Sequence, residues 1–143
     1  MATYFEVVCR YDKTQENGSV KKSNEPYIID ALSFTEAEST AVEKVTPYAG
    51  GEMQVRSIRR TPIAEIINPD GDKFFLAKVS FVTLDEKTGA EKKSVSQMLV
   101  GGADIDGAKA QLEDAMRGTV SDWELASLAE TNIVEVFLHG QGA

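Results

Sequence analysis

The chain has 143 residues, of which 42% are hydrophobic, and its formal net charge is −8. This length corresponds to one domain or two small ones, and the acidic balance excludes a broad basic footprint for duplex DNA. The single cysteine excludes an internal disulfide and suits a reducing cytoplasm. No apolar run approaches the roughly 20 residues of a membrane span, and the first residues, MATYFEVVCR, do not resemble a signal peptide. We therefore expect a globular cytoplasmic protein.

Two strands joined by a tight turn are predicted at the start of the chain. Apolar side chains alternate with polar ones over residues 4–11, which is typical of a strand with one buried face. The pair Asn17-Gly18 supplies the positive φ angle that a tight hairpin needs, and a second strand is expected over residues 20–31. Because proline cannot donate to a ladder of hydrogen bonds, Pro26 indicates an edge position or a bulge in this second strand.

A helix is predicted next, followed by two further strands. Thr35 is expected to cap the helix through its hydroxyl, in a capping box with the glutamate three residues on. Phe34, directly before that cap, is expected to pack back against the helix and to fix the entry angle of the chain. Pro47 ends the helix. A strand is expected over residues 52–60, with a short further strand or a bulged continuation at 63–67.

The second half of the chain repeats this layout after a turn at residues 68–72. Its predicted elements are a strand from Lys73, a hairpin loop at 85–89, a strand at 91–100, a helix from Asp106 to Arg117 and strands at 123–129 and 133–138. Gly89 is expected in the left-handed region. Asp106 is expected to cap the second helix as Thr35 caps the first, and Ile105 takes the place of Phe34.

The two halves are related by an internal duplication. Similar residues recur at an offset of 70 or 71 positions: Tyr4-Phe5 and Phe74-Phe75, Lys21-Lys22 and Lys92-Lys93, and Thr61 and Thr131. Such a fixed period indicates copied structural units, and the apolar strand face and helix stripe of each copy must bury each other. We therefore predict an α+β fold of two tandem ββαβ pseudo-repeats, residues 1–70 and 71–143. They are expected to form one compact pseudo-symmetric unit with antiparallel sheets, each covered by one helix.

A resemblance to a known family extends over nearly the whole chain. It is carried by residues 4–6, 10–11, 30–38, 84–87 and 91–93, of which DALSFTEAE at 30–38 is the most specific. In these segments the chain resembles a family of small uncharacterised proteins from Bacteroidota and from phages that infect them. The resemblance implies a cytoplasmic single-module protein and no particular activity, because the family is a domain of unknown function. The chain departs from the family's pattern at Gly101-Gly102 and Gly107.

Several residues could carry chemistry, and each has a simpler structural explanation. Cys9 lies on the apolar face of the first strand, where packing is expected rather than nucleophilic attack. One cysteine and one histidine, His139, cannot form a closed zinc site, which takes four ligands. The acidic loop at 104–107 lacks the further oxygen ligands of a calcium loop, and Gly101-Gly102 lacks the rest of a phosphate-binding motif. We therefore expect no catalytic residue, no metal and no cofactor.

Two sets of charged residues remain as candidates for a binding surface. The first is a basic set on predicted strands, namely Arg56, Arg59, Arg60, Lys21 and Lys22. The second is an acidic set on the predicted helix faces, namely Glu36, Glu43, Glu113 and Asp114. A sheet that carries arginines and aromatic side chains can hold single-stranded nucleic acid, whereas complementary charge across an interface steers a protein partner.

These two sets correspond to two hypotheses about function. In the first, the protein is a non-enzymatic acidic protein-interaction module, such as a phage or bacterial accessory protein that regulates a host enzyme. In the alternative, it binds single-stranded nucleic acid through an arginine-bearing sheet face. The first is favoured because, at a net charge of −8, three arginines form a small positive island in a negative field.

Overall fold

A computed structural model describes residues 3–139, which form two four-stranded sheets and two α-helices. In chain order the elements are β1 (Tyr4–Thr14), β2 (Val20–Asp30), α1 (Phe34–Val45), a 3-10 turn (Thr46–Tyr48), β3 (Gln54–Arg60), β4 (Ile63–Ile67), β5 (Lys73–Leu84), β6 (Glu91–Gly102), α2 (Ile105–Met116), β7 (Asp122–Glu130) and β8 (Glu135–Phe137). The sheets have the strand orders β3-β1-β2-β8 and β4-β6-β5-β7, and each helix packs on one of them. The predicted α+β fold with two similar halves is confirmed.

The chain divides into two compact units, each with its own core. The first unit contains residues 3–61 and 132–139, and the second contains residues 62–131. The helices bury alanine-rich stripes at a spacing of four residues, which brings their backbones close to the sheets. The buried residues of these stripes are Ala37, Ala41 and Val45 in α1, and Ala108, Leu112 and Met116 in α2. Within residues 3–139 no helix has the length and apolarity that crossing a bilayer requires.

The turns between the long antiparallel strands have the backbone conformations expected from their glycines. Gly18 has a φ of +84° between β1 and β2, and Gly89 has a φ of +72° between β5 and β6. Glycine adopts such angles without the steric cost that a Cβ would bring. The matched turns hold the two hairpins in equivalent registers, with Val7 opposite Tyr27 and Ala77 opposite Met98.

The last strand of each sequence repeat lies in the unit formed mainly by the other repeat. β4 pairs in parallel with β6, with Ile67 opposite Val100, and β8 pairs in parallel with β2, with Phe137 opposite Ile29. Each sheet thus consists of three antiparallel strands and one parallel edge strand, where only antiparallel strands were expected. The compact units therefore differ from the sequence repeats 1–70 and 71–143 by this exchange of β4 and β8.

A threonine fixes each point where the chain leaves one unit for the other. The backbone N–H and the hydroxyl of Thr61 both donate to the carbonyl oxygen of Tyr4, at 2.9 Å each. Thr131 does the same to Phe74, at 2.9 and 2.8 Å. These bonds anchor the end of β3 to the start of β1, and the end of β7 to the start of β5. The chain is therefore held in the same way before both exchanged strands.

Pro26 lies in β2 at the point where its pairing with β8 begins. The pairing covers only Tyr27–Ile29, and the carbonyl oxygen of Pro26 accepts a hydrogen bond from the N–H of Val134 at 2.9 Å. The nitrogen and the carbonyl of one strand residue point to the same side, so the proline nitrogen faces away from β1. No bond of the β1–β2 ladder is therefore lost, and the edge position expected for Pro26 applies to the open part of β2.

Both helices begin two residues earlier than predicted, with different caps. Ser33 caps α1, and its hydroxyl oxygen accepts from the amide three residues on at 3.1 Å. Asp104 caps α2, and its carboxylate accepts from the corresponding amide at 2.7 Å. The caps predicted at Thr35 and Asp106 are therefore wrong. Ser33 and Asp104 have the extended backbone that an N-cap needs, with φ near −155° and −152°.

Phe34 and Ile105 consequently open the helices instead of preceding the caps. Their exposed fractions are 46% and 49%, so the predicted packing of these side chains ahead of the cap is wrong. The ring of Phe34 contacts the ring of Phe5 edge-on, at 5.0 Å between centroids. One side of Phe34 therefore covers the core, and the other faces solvent.

Candidate functional site

The three arginines of the predicted basic set do not share one face of the sheet. In the register of β1 and β3, Arg59 lies opposite Glu6 and Arg60 lies opposite Phe5. Neighbouring residues of a strand point to opposite faces. Because Phe5 is a core residue beneath α1, Arg60 lies on the helix side and Arg59 on the other side. Arg56 is the extra residue of a bulge in β3, since its neighbours Val55 and Ser57 pair with adjacent residues of β1.

Two of these arginines already contact side chains of their own unit. The Nε of Arg59 lies 2.8 Å from the Oε1 of Glu6. The guanidinium of Arg60 lies 5.9 Å from the centroid of the Phe5 ring and 5.5 Å from that of Phe34, which are cation–π distances. Holding a nucleic-acid strand with both side chains would require these contacts to break or to be shared.

The two lysines of the basic set lie at the far end of the same sheet. Lys22 is opposite Asp12, whereas Arg59 is opposite Glu6. Six residues of β1 separate Glu6 from Asp12, which corresponds to about 20 Å at the rise of a strand. Lys21 and Lys22 are therefore not continuous with the arginines, and the structure does not bring the basic set together.

The acidic set is exposed on the two helices. Glu36 and Glu43 are two turns apart on one side of α1, and the Oε1 of Glu36 lies 3.0 Å from the Nε2 of His139. Such a contact is an ion pair only when the histidine is protonated. Glu113 and Asp114 are neighbours in α2, and Asp114 lies 3.3 Å from Arg117 in an exposed pair. Exposed pairs of this kind contribute little to stability, which leaves these carboxylates available to a partner.

A buried polar cluster in the first unit was not predicted from the sequence. The hydroxyls of Tyr11 and Tyr27 are 2.7 Å apart in a hydrogen bond, and Cys9 is buried in the same core. Next to them, Glu25 accepts from Lys13 at 3.2 Å and from Ser23 at 2.8 Å. The matching positions of the second unit, at offsets of 70 and 71, are the apolar residues Val79, Phe81 and Met98. Comparing the two repeats position by position would have found this difference.

The acid–base properties of this cluster make it unreactive at neutral pH. Burial raises the pKa of the Cys9 thiol to about 11, so the thiolate that nucleophilic attack requires is scarce. Burial, and next the hydrogen bond with Tyr11, raise the pKa of Tyr27. Tyr48 donates to the Oε2 of Glu135 at 3.0 Å, and this hydrogen bond raises its pKa as well. These groups remain protonated and neutral, which suits a structural role.

We expect the Tyr11→Phe variant to lose about 1–3 kcal/mol of unfolding free energy, because Tyr27 then keeps a fully buried hydroxyl without this partner. The double variant Tyr11→Phe/Tyr27→Phe should be more stable than the single variant, since both polar atoms are removed. Urea unfolding of the three proteins measures these differences. A double variant that loses the sum of the two single losses would show that the hydroxyls do not act as a pair.

The glycine pair at the end of β6 makes room for the turn that follows β4. Asn68 has a φ of +53°, and its side-chain amide donates to the carbonyl of Gly101 at 2.9 Å. A Cβ at Gly101 would overlap the carbonyl oxygen of Asn68, and one at Gly71 would lie 2.5 Å from the nitrogen of Gly102. The space considered for a phosphate is therefore filled by the backbone of residues 68–71.

The acidic loop before α2 also has a structural explanation. The carboxylate of Asp104 accepts from the N–H of Gly107 as a helix cap. Among the residues that the structure describes, no three or more His, Cys, Asp or Glu side chains form a group able to hold a metal ion.

One protein-family model, a domain of unknown function (DUF4494), matches residues 3–139. The protein belongs to the DUF4494 family. The match runs from β1 to β8, so a DUF4494 domain comprises both repeats and both exchanged strands. This agrees with the family of unknown function that the sequence resembles. Comparisons with curated proteins and with solved structures gave no match.

Proposed function

We propose that this DUF4494 protein is a non-enzymatic protein-interaction module that captures a partner through its acidic helix faces. The observation that carries the proposal is the repeated exposure of a large apolar side chain at the start of each helix. Phe34 and Ile105 occupy equivalent positions and are 46% and 49% exposed. Carboxylates flank both, including Glu38 and Asp106. Exposed apolar groups with a polar rim are typical of a docking surface.

α1 offers the more apolar of the two surfaces. Phe34, Glu38 and Val42 are spaced by four residues and so lie along one side of the helix, with Val42 49% exposed. Leu32, just before the helix, is 76% exposed. A partner that fits this surface presents an apolar pocket bordered by lysine or arginine. The carboxylates then steer the partner toward the surface, and the apolar side chains supply buried area.

In the cell, the proposed role is that of a cytoplasmic accessory protein of Bacteroidota or of their phages, which regulates a host enzyme by binding it. The proposal agrees with the chemistry of the buried groups, because the Cys9 thiol has a raised pKa and is buried. It also agrees with the charge, because the net −8 disfavours long-range attraction of nucleic acid.

Charge reversal on the helices should weaken partner capture. The variant carries lysine in place of Glu36, Glu43, Glu113 and Asp114. It should associate with the partner more slowly and with less dependence on salt, because electrostatic steering acts mainly on the association rate. The partner is first identified by capture from the native host and mass spectrometry, and its binding kinetics are then measured with purified proteins.

The matched control is the triple variant Arg56→Gln/Arg59→Gln/Arg60→Gln, which should capture the partner as the wild type does. Unchanged capture by the charge-reversed protein would contradict the proposal. Tight binding of a single-stranded oligonucleotide at physiological salt, lost in the triple variant, would establish the alternative function through the arginines.

A further inference from the structure

The second inference concerns the free sheet edges and does not depend on the proposed partner. β3 is the outermost strand of the first unit, and β7 is its equivalent in the second. Among the described residues, no strand pairs with the outer side of either one. An edge strand presents unpaired backbone N–H and C=O groups, which can pair with another strand.

The two equivalent edges carry opposite charges. β3 contains three arginines and no acidic residue, whereas β7 contains Asp122, Glu124 and Glu130 and no basic residue. Like charges directly opposite each other destabilise a strand pair, and opposite charges stabilise it. Pairing of β3 with β3, or of β7 with β7, is therefore disfavoured. Only the pairing of β3 with β7 brings opposite charges together.

We infer that β3 of one copy of the protein pairs antiparallel with β7 of a second copy. The arrangement places Arg59 opposite Glu124, since both point away from the helices: Arg59 lies across from Glu6, and Glu124 across from Ser80 rather than the core residue Val79. Arg59 is then shared between the carboxylates of Glu6 and Glu124.

The same register also matches the helix-side residues of the two edges. It places Ile58 opposite Leu125, both of which are partly buried hydrophobics on the helix side of their sheets. Arg60 comes to lie opposite Trp123, whose ring can accept a cation–π contact. The pairing uses Ser57–Arg60, after the bulge of β3, and Asp122–Leu125, before the bulge of β7. Both segments are thus regular strand.

The contact is head-to-tail, so each bound copy keeps one free β3 or β7 edge. A contact of this kind does not end at a dimer unless a ring closes. It is short and rests on exposed charges, so it should be weak and should weaken further as salt screens the charges. Assembly is therefore expected at high protein concentration and low salt.

Sedimentation velocity of the full-length chain tests the inference. At low salt the average mass of the wild type should rise with concentration, and at high salt it should fall to that of the monomer. Arg59→Glu and Glu124→Arg should each be monomeric at low salt. An equimolar mixture of these two variants should assemble again, because the new carboxylate of one variant then lies opposite the new guanidinium of the other.

Controls separate edge pairing from a general charge effect. Lys87→Glu and Glu86→Arg make the same changes of net charge in an exposed hairpin loop and should assemble as the wild type does. If Arg59→Glu does not fold, Glu124→Arg alone should still be monomeric, and circular dichroism establishes which variants are folded. A wild type that stays monomeric at low salt, or a mixture of folded variants that stays monomeric, would overturn the inference.

Discussion

Replacement of Gly101 by alanine is expected to destabilise the second unit by about 3 kcal/mol, the upper end of the usual cost of overpacking. The added Cβ would overlap the carbonyl oxygen of Asn68. That atom belongs to the backbone, so no change of side-chain rotamer can relieve the overlap. The turn at residues 68–71 must move, and it holds the end of β4 beside β6. Urea unfolding measures the loss, and hydrogen exchange should show it first in β4.

Gly51→Ala is the matched control for this substitution. Nothing lies within 4 Å of a Cβ at Gly51, so its effect should stay within about 0.5 kcal/mol, as is usual for surface positions. Equal unfolding midpoints for the two variants would show that the turn can move away from Gly101 without cost.

A fragment of residues 62–131 is expected to fold, whereas a fragment of residues 71–139 is expected to remain unfolded. The first contains the complete second unit, with β4, β5, β6, β7 and α2. The second begins at the repeat boundary and lacks β4, which leaves the edge of β6 near Leu99 and Val100 uncovered. Both residues are fully buried in the intact protein. Circular dichroism and thermal unfolding compare the two fragments, which are nearly equal in length.

A third fragment, residues 1–70, provides the corresponding control for the first unit. It lacks β8, and with it the stacking of Phe137 on Tyr27 at 5.8 Å between ring centroids. It should show no cooperative transition either. If fragments 71–139 and 62–131 unfold at the same temperature, the exchanged strand is not needed for the fold.

Local patterns in the sequence were sufficient for the elements but not for the exchange of strands. Apolar residues at 63–67 indicate a short strand, but its periodicity does not say with which sheet it pairs. The choice depends on contacts about 30 residues away, such as Ile67 with Val100. The duplication found at an offset of 70 residues explains why β8 makes the same choice.

The error in the helix caps has a local cause. Two capping patterns overlap in the segment Ser33-Phe34-Thr35-Glu36, since both hydroxyl residues are followed by a glutamate three positions on. The backbone decides between them. Ser33 is still extended at the end of the strand connection, whereas Thr35 is already helical, and only an extended residue can act as the cap.

The charged residues of the candidate surfaces could be identified from the sequence, but their grouping could not. Arg59 and Arg60 are adjacent, and the strand period of two separates them onto opposite faces. The bulge at Arg56 is set by pairing with β1 and has no signal in the sequence of β3 itself. Grouping by sequence proximity therefore overstated the basic surface, and the opposite charges of the two edges emerged only from the strand order.

The exchange of β4 and β8 also determines when each unit can be completed during synthesis on the ribosome. The second unit is a continuous segment, 62–131, and all of its strands are present once Thr131 has emerged. The first unit begins at the N-terminus but needs β8, one of the last segments to be translated. The usual order, in which the N-terminal domain folds first, is reversed here. Most of the first unit must wait, with the edge of β2 open, until the ribosome has nearly finished the chain.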